Sequence, residues 1–216
     1  MAAPVFDTGG ADSSTLLTDV VTALTIANVA NRVLYCFIQD AANLGVTSVT
    51  WNTTETLSLL ATGSYNGAAD DWHVYRLINP TAATANVVTV KSASGNMNQT
   101  CLVYNGADQT TPDDGADEAE GSSTAAQNTV ASAAGDTAIA WCAATGSTTM
   151  APASGETERV DDATGTRAYE LAGEASASFD ITLGTSRPWV VVGLNLNAVA
   201  AGVTTRRYSL PLTGVG

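Results

Sequence analysis

Apolar and polar residues alternate over short stretches along most of this chain. Phe179, Ile181 and Leu183 are separated by Asp180 and Thr182, which is the period-two pattern of a strand with one face in a core. Each of the three is worth roughly 1.5–3 kcal/mol if fully buried. Val88 and Val90 alternate in the same way with Thr89 and Lys91. Residues 32–39 and 189–196 are almost continuously apolar, as expected of central strands covered on both faces. Further strands are predicted at 46–51, 56–61, 72–78, 100–104, 137–143 and 166–171. Residues 14–29 come nearest to a helical pattern, but their many Thr and Val residues favour strand.

Turn residues punctuate these runs. Tyr65-Asn66-Gly67 marks a hairpin. Asn79-Pro80, Ser94-Gly95-Asn96, Ala134-Gly135-Asp136 and Thr164-Gly165 mark further turns. Many short strands with such spacing predict a sandwich or barrel. The expected fold is all-β: an antiparallel, jelly-roll-like β-sandwich with a two-layer core and a C-terminal extension. The expected division is an N-terminal arm at 1–14, the sandwich at 15–199 and a C-terminal docking arm at 200–216. Residues 112–121, rich in Asp, Glu and Gly, are expected to form an exposed loop. The C-terminal arm carries Arg206, Arg207, Tyr208, Leu210 and Leu212, an apolar and basic set suited to docking.

Length and charge narrow the picture. The chain has 216 residues, 45% of them hydrophobic, within the range of one all-β domain. Its net charge is −13, from 21 acidic and 8 basic residues. Such a surface repels nucleic-acid phosphate and anionic lipid, so neither is an expected partner. Three cysteines, Cys36, Cys101 and Cys142, lie far apart inside apolar runs. They form no disulfide framework and no zinc motif, since CxxC is absent and His73 is the only histidine. They read as small buried hydrophobes. The first residues lack the basic and apolar regions of a secretory leader, and no run is long enough for a membrane helix. Synthesis in the cytoplasm is therefore expected.

Candidate chemistry is sparse. Nucleophilic catalysis would have to use His73, which falls in a predicted strand, so a structural histidine is the simpler expectation. Glu156, Glu158, Asp161 and Asp162 could supply the paired carboxylates of a glycosidase, but a solvated loop is the plainer reading. Asp113, Asp114, Asp117 and Glu118 could offer oxygens to calcium. Their spacing is not that of an EF-hand, and a solvated loop competes, so no cofactor is expected. Trp141 and Trp189 read as core. Trp51 and Trp72 flank predicted turns and are the better candidates for rings facing a sugar.

The order of several segments resembles a known domain. Asn31-Arg32-Val33-Leu34-Tyr35 is followed by Val46-Thr47-Ser48-Val49-Thr50-Trp51, then by Val74-Tyr75-Arg76-Leu77-Ile78-Asn79-Pro80. Ala85-Asn86-Val87-Val88-Thr89-Val90, Asp108-Gln109-Thr110-Thr111-Pro112 and Arg187-Pro188-Trp189 come later. Over residues 15–199 this resembles a β-sandwich domain of phage virion proteins and bacterial surface proteins, with the Asp-Gln-Thr-Thr-Pro segment its most specific part. The resemblance implies a non-enzymatic structural protein: a capsid decoration, or cement, protein of the virion. It implies the major capsid protein or another virion protein as partner, and a homo-oligomer with a trimer as the favoured form. Contact is expected through the C-terminal arm or residues 1–14. The competing expectation is a tail- or head-fibre adhesion module that binds host-surface glycans.

Overall fold

The computed structural model describes residues 2–14, 18–153, 155–162 and 165–200, and their regular structure is strand throughout. In chain order the strands begin with β1 (Val5–Ser14), β2 (Asp19–Thr25), β3 (Val33–Ala41), β4 (Val46–Trp51) and β5 (Glu55–Thr56). Next come β6 (Ser58–Tyr65), β7 (Asp70–Ile78), β8 (Thr84–Lys91), β9 (Met97–Asn105) and β10 (Asp113–Ala131). The last are β11 (Thr137–Ala144), β12 (Met150–Pro152), β13 (Thr157–Asp162), β14 (Thr166–Ala172) and β15 (Ser176–Leu196). The described pairings between named strands are all antiparallel.

Three sheets result: β2-β8-β4-β5, β1-β9-β3-β7-β6 and β10-β15-β11-β14-β13, with β12 paired to β15. Strand periodicity explains how they stack. Leu34, Cys36 and Ile38 of β3 share one core with Val20, Val49, Trp51 and Val87 of the four-stranded sheet. Val33, Tyr35 and Phe37 of the same strand face the other way, onto Ile139, Trp141, Val190 and Val192 of the six-stranded sheet. The five-stranded sheet is therefore a middle layer, buried on both faces. Phe37 stacks on Trp141 with ring centroids 5.8 Å apart, adding to the area that the two rings bury.

The six-stranded sheet is covered on its far face as well. β10 and β15 pair along their whole length, but the register breaks after Ser123. There Leu183, Gly184, Thr185 and Ser186 lie opposite the single Thr124. A bulge of this size bends both strands. Beyond it, Ala126, Val130, Phe179 and Ile181 pack onto Ala138, Ala140, Cys142 and Val191 as a third core. Asn128 pins the fold-back by donating to the carbonyls of Asp117 and Val191, both at 3.1 Å. The expected sandwich is thus part of a deeper stack with three cores. The alternation of Phe179, Ile181 and Leu183 faces the third of them.

Gly193 lies where the fold-back presses closest. A Cβ there would sit well inside van der Waals contact with Cγ2 of Val130. Gly193→Ala is therefore expected to cost about 1–3 kcal/mol by overpacking. Adding Val130→Ala should recover part of that loss, as read from denaturant midpoints. A Gly193→Ala chain as stable as the parent would contradict the fold-back.

Two boundaries differ from the sequence expectation. Residues 5–14 are not an arm: as β1 they pair with β9 from Val5 to Ser14, and Thr137 donates to the Pro4 carbonyl at 2.8 Å. Residues 113–121 are not a loop but the first half of β10. Acidic side chains cost a strand little where they reach water, and the backbone there is paired with apolar β15. At the other end the chain is tied through Val199, whose N–H donates to Gly106. Residues 201–216, which include Arg206, Arg207, Tyr208, Leu210 and Leu212, lie outside the described residues.

Candidate functional site

The two tryptophans expected to face a sugar are buried. Trp51 is 0% exposed in the core beneath the four-stranded sheet. Its Nε1 donates to the Thr81 carbonyl at 2.9 Å. Trp72 is 3% exposed and packs in the core between the middle and six-stranded sheets. Lying beside a turn did not expose either ring, because another layer covers each strand face.

The four acidic residues considered for calcium do not converge. Asp113 takes the Tyr35 hydroxyl at 2.7 Å and the Arg76 guanidinium at 2.8 Å on one oxygen. Its other oxygen takes the Gly115 N–H at 3.2 Å. Burial first, and then the facing carboxylate, pushes the Tyr35 hydroxyl well up. Asp114 instead accepts from Asn195 at 3.0 Å and Asn197 at 2.8 Å. Asp117 and Glu118 are exposed neighbours on β10, so their side chains leave opposite faces of the strand. Among the described residues no group of three or more His, Cys, Asp or Glu side chains is placed to hold a metal ion.

His73 lies between a hydroxyl and a carboxylate. Its Nδ1 is 2.8 Å from Thr62 Oγ1, and its Nε2 is 3.8 Å from Asp40 Oδ2. Hydroxyl, imidazole and carboxylate occur in the order of a nucleophilic triad. The Thr62 hydroxyl, however, donates its one proton to the Trp72 carbonyl at 2.9 Å. A hydroxyl proton committed to that carbonyl is not offered to the ring. The fully buried Asp40 accepts the N–H groups of Leu44 and Gly45 at 2.9 and 2.8 Å, which fixes the turn after β3. The group reads as a structural tie.

The carboxylates considered for glycoside hydrolysis lie on or beside β13, a strand and not the expected loop. Arg167 holds Glu158 at 3.0 Å and Asp161 at 2.8 Å. Asp162 accepts from the Thr166 hydroxyl at 3.4 Å. Glu156 accepts the Asp180 N–H at 2.6 Å on one oxygen, while its other oxygen is buried without a hydrogen bond. Burial pushes its carboxyl pKa above the usual glutamate range. A raised carboxyl contributes stability that is full below the ordinary glutamate range and is lost as pH rises through its folded value. Glu156→Gln keeps the acceptor for Asp180 and removes the buried charge. It should melt higher than the parent at neutral pH, with the difference vanishing in acid. A thermal melt series across pH reads this directly, and a constant difference would contradict it.

Among the described residues the fold assembles a cleft of about 280 Å³, lined by Ser13, Gln39, Asp70, Asn98, Thr145 and Ser147 among others. It lies where β1 and β3 end, where β7 and β9 begin, and beside the turn after β11. Gln39, 4% exposed, holds it from below. Its amide nitrogen donates to the Tyr65 hydroxyl and to the Ala144 carbonyl, and its oxygen takes Asn98 at 2.6 Å. Asp70 accepts from Ala42 N–H at 3.2 Å and Asn66 at 2.8 Å. Ala42 and Ala68 beside the cleft have φ of 67° and 64°, a conformation that costs alanine about 1–2 kcal/mol. Asn43 links their two loops by donating to the Ala68 carbonyl at 3.2 Å. The cleft draws on five separate segments. The one sequence signal was Gln39, an amide closing an otherwise apolar run.

The class defined by these features is an all-β antiparallel stack with a cleft at one end. No family model, no curated protein and no solved structure matches the chain.

Proposed function

We propose that this chain is a non-catalytic virion protein that docks on the outer face of a capsid and stabilises the shell. Its partner is the major capsid protein or another virion protein, and a homo-oligomer, with a trimer favoured, would suit docking around local threefold axes. The observation that carries the reading is where its reactive side chains go. Asp113 ties two sheets together, Arg167 ties β14 to β13, and Asp40 fixes the turn after β3, each a candidate for chemistry or beside one. A net charge of −13 on such a block suits a solvated outer surface. The resemblance set out above points the same way.

The test uses particles assembled from a phage major capsid protein, taken from the gene neighbourhood of this chain where that neighbourhood holds one. The full chain should co-sediment with them to saturation and raise their disruption temperature. A chain truncated after Ala200 should lose occupancy if residues 201–216 are the docking arm. Absence of co-sedimentation by the full chain would reject the decoration role, and undiminished occupancy of the truncated chain would reject the arm.

The end cleft favours a second reading, an adhesion module that binds host-surface glycans. Its lining includes uncharged hydroxyl and amide side chains, Ser13, Gln39, Asn96, Asn98, Thr145 and Ser147, among apolar surface, and Asp70 is its charged member. That composition suits a neutral, hydroxyl-rich ligand and disfavours an anion. Binding on a glycan array that is lost in Asn98→Ala would support this reading, and an empty array would remove it.

A further inference from the structure

The chain's three cysteines are far apart in sequence, yet the fold brings two of them face to face. Cys36 of β3 and Cys101 of β9 are register partners in the middle sheet. Both point into the core shared with the four-stranded sheet. Cys101 Sγ donates to Cys36 Sγ at 3.4 Å, across 65 residues of chain. Directly opposed residues of an antiparallel pair have Cα atoms about 4.5–5.5 Å apart. That lies inside the ~4.4–6.8 Å span that disulfides bridge. The Cα spacing is therefore compatible with a bond, and closing it takes side-chain rotation together with a small approach of the two Cβ atoms, to within about 4.5 Å. Cys142 lies in the third core, on the far face of the six-stranded sheet. The whole second core separates it from the pair.

We propose that Cys36 and Cys101 are a latent disulfide site, closed when the chain folds in an oxidising medium. The oxidant is a low-molecular-weight disulfide such as oxidised glutathione. One cysteine thiolate attacks it, forming a mixed disulfide and releasing one glutathione thiolate. The second cysteine thiolate then attacks the protein-bound sulfur of that mixed disulfide, releasing the other glutathione. The two protein thiols lose two protons and two electrons, and the oxidant takes up both electrons and becomes two thiols.

Timing follows from burial. Both sulfurs are 0% exposed, and burial pushes the Cys101 thiol well up, while the thiolate is the reactive form. Folded and reduced, the pair is shielded. The bond closes while the four-stranded sheet has yet to cover this face of the middle sheet. Once closed it joins the two central strands of the layer on which two cores rest. It also shortens the unfolded chain's reach by a long loop, which favours the folded state. The same sequence then folds as a thiol protein in a reducing compartment and as a cross-linked one outside it.

The experiment refolds denatured, reduced protein with oxidised and reduced glutathione, and in parallel with a reducing agent. Both samples are alkylated in denaturant and weighed intact, then mapped as peptides. Oxidative refolding should leave one alkylated residue, Cys142, and a Cys36–Cys101 linked peptide, with a higher denaturant midpoint. Folded, reduced protein placed in the same glutathione mixture should keep three alkylatable thiols over the time in which the refolding sample loses two. In Cys142→Ser, oxidative refolding should leave none. Three alkylatable thiols after oxidative refolding, or a linked pair that includes Cys142, would overturn the proposal. Should refolding from denaturant give poor yield, protein exported to an oxidising bacterial periplasm is mapped instead. A Cys36–Cys101 link there supports the proposal, and three free thiols overturn it.

Discussion

Asp113→Ala should cost the fold about 3 kcal/mol, among the largest effects of any single side chain on its surface layers. The carboxylate is 1% exposed and bonds across two sheets, from β10 to Tyr35 of β3 and Arg76 of β7. Removing it leaves the buried Tyr35 hydroxyl without an acceptor and the Arg76 guanidinium without its counter-charge. Breaking one side of a buried ion pair costs ~3–5 kcal/mol. The low end applies because the Arg76 side chain is 25% exposed and keeps some contact with water. Asp113→Asn keeps an acceptor for Tyr35 and should lose less. Tyr35→Phe alone should cost about 1 kcal/mol. Combined with Asp113→Ala, it should cost less than the sum, because the hydroxyl is then no longer stranded. Urea midpoints of the four variants measure all of this. A loss below about 1 kcal/mol for Asp113→Ala would place the residue in water, as a loop residue would be.

Trp51→Ala should be of similar size or larger, about 3–5 kcal/mol. The ring is 0% exposed, and its removal opens a large cavity between the four-stranded and middle sheets. It also strands the Thr81 carbonyl that accepts from Nε1. Trp51→Phe fills most of the space and should lose clearly less. The contrast with the sequence expectation is sharp. A tryptophan facing a ligand would lose binding on truncation while stability moved by less than about 0.5 kcal/mol. Denaturant unfolding beside glycan binding separates the two, and an unchanged midpoint would return Trp51 to the surface.

Legibility differed from element to element for physical reasons. Residues 33–38 and 190–194 were continuous apolar runs, and both are central strands buried on two faces. The Tyr65-Asn66-Gly67 signal marks the turn between β6 and β7, with Asn66 and Gly67 at φ of 55° and 66°. Residues 113–121 misled because charge was taken as a sign of loop. An edge strand can carry acids on any face that reaches water, and β10 draws its order from the partner strand β15. Trp51 and Trp72 misled because a turn close in sequence says nothing about which layer lies above. Among candidate site residues, Gln39 alone left a local trace of the end cleft.

Local pattern by itself determined that the described residues are strand and turn, which stretches are deepest, and that the chain is acidic. A strand's period of two is set by the backbone of each segment, so it can be read without knowing the neighbours. Tertiary structure alone decided that three cores stack, that β10 and β15 fold back over their own sheet, that Asp113 is buried and that Cys36 meets Cys101. Those outcomes depend on pairings between residues tens of positions apart. Many registers satisfy the same local pattern, and only simultaneous packing of all the layers selects one.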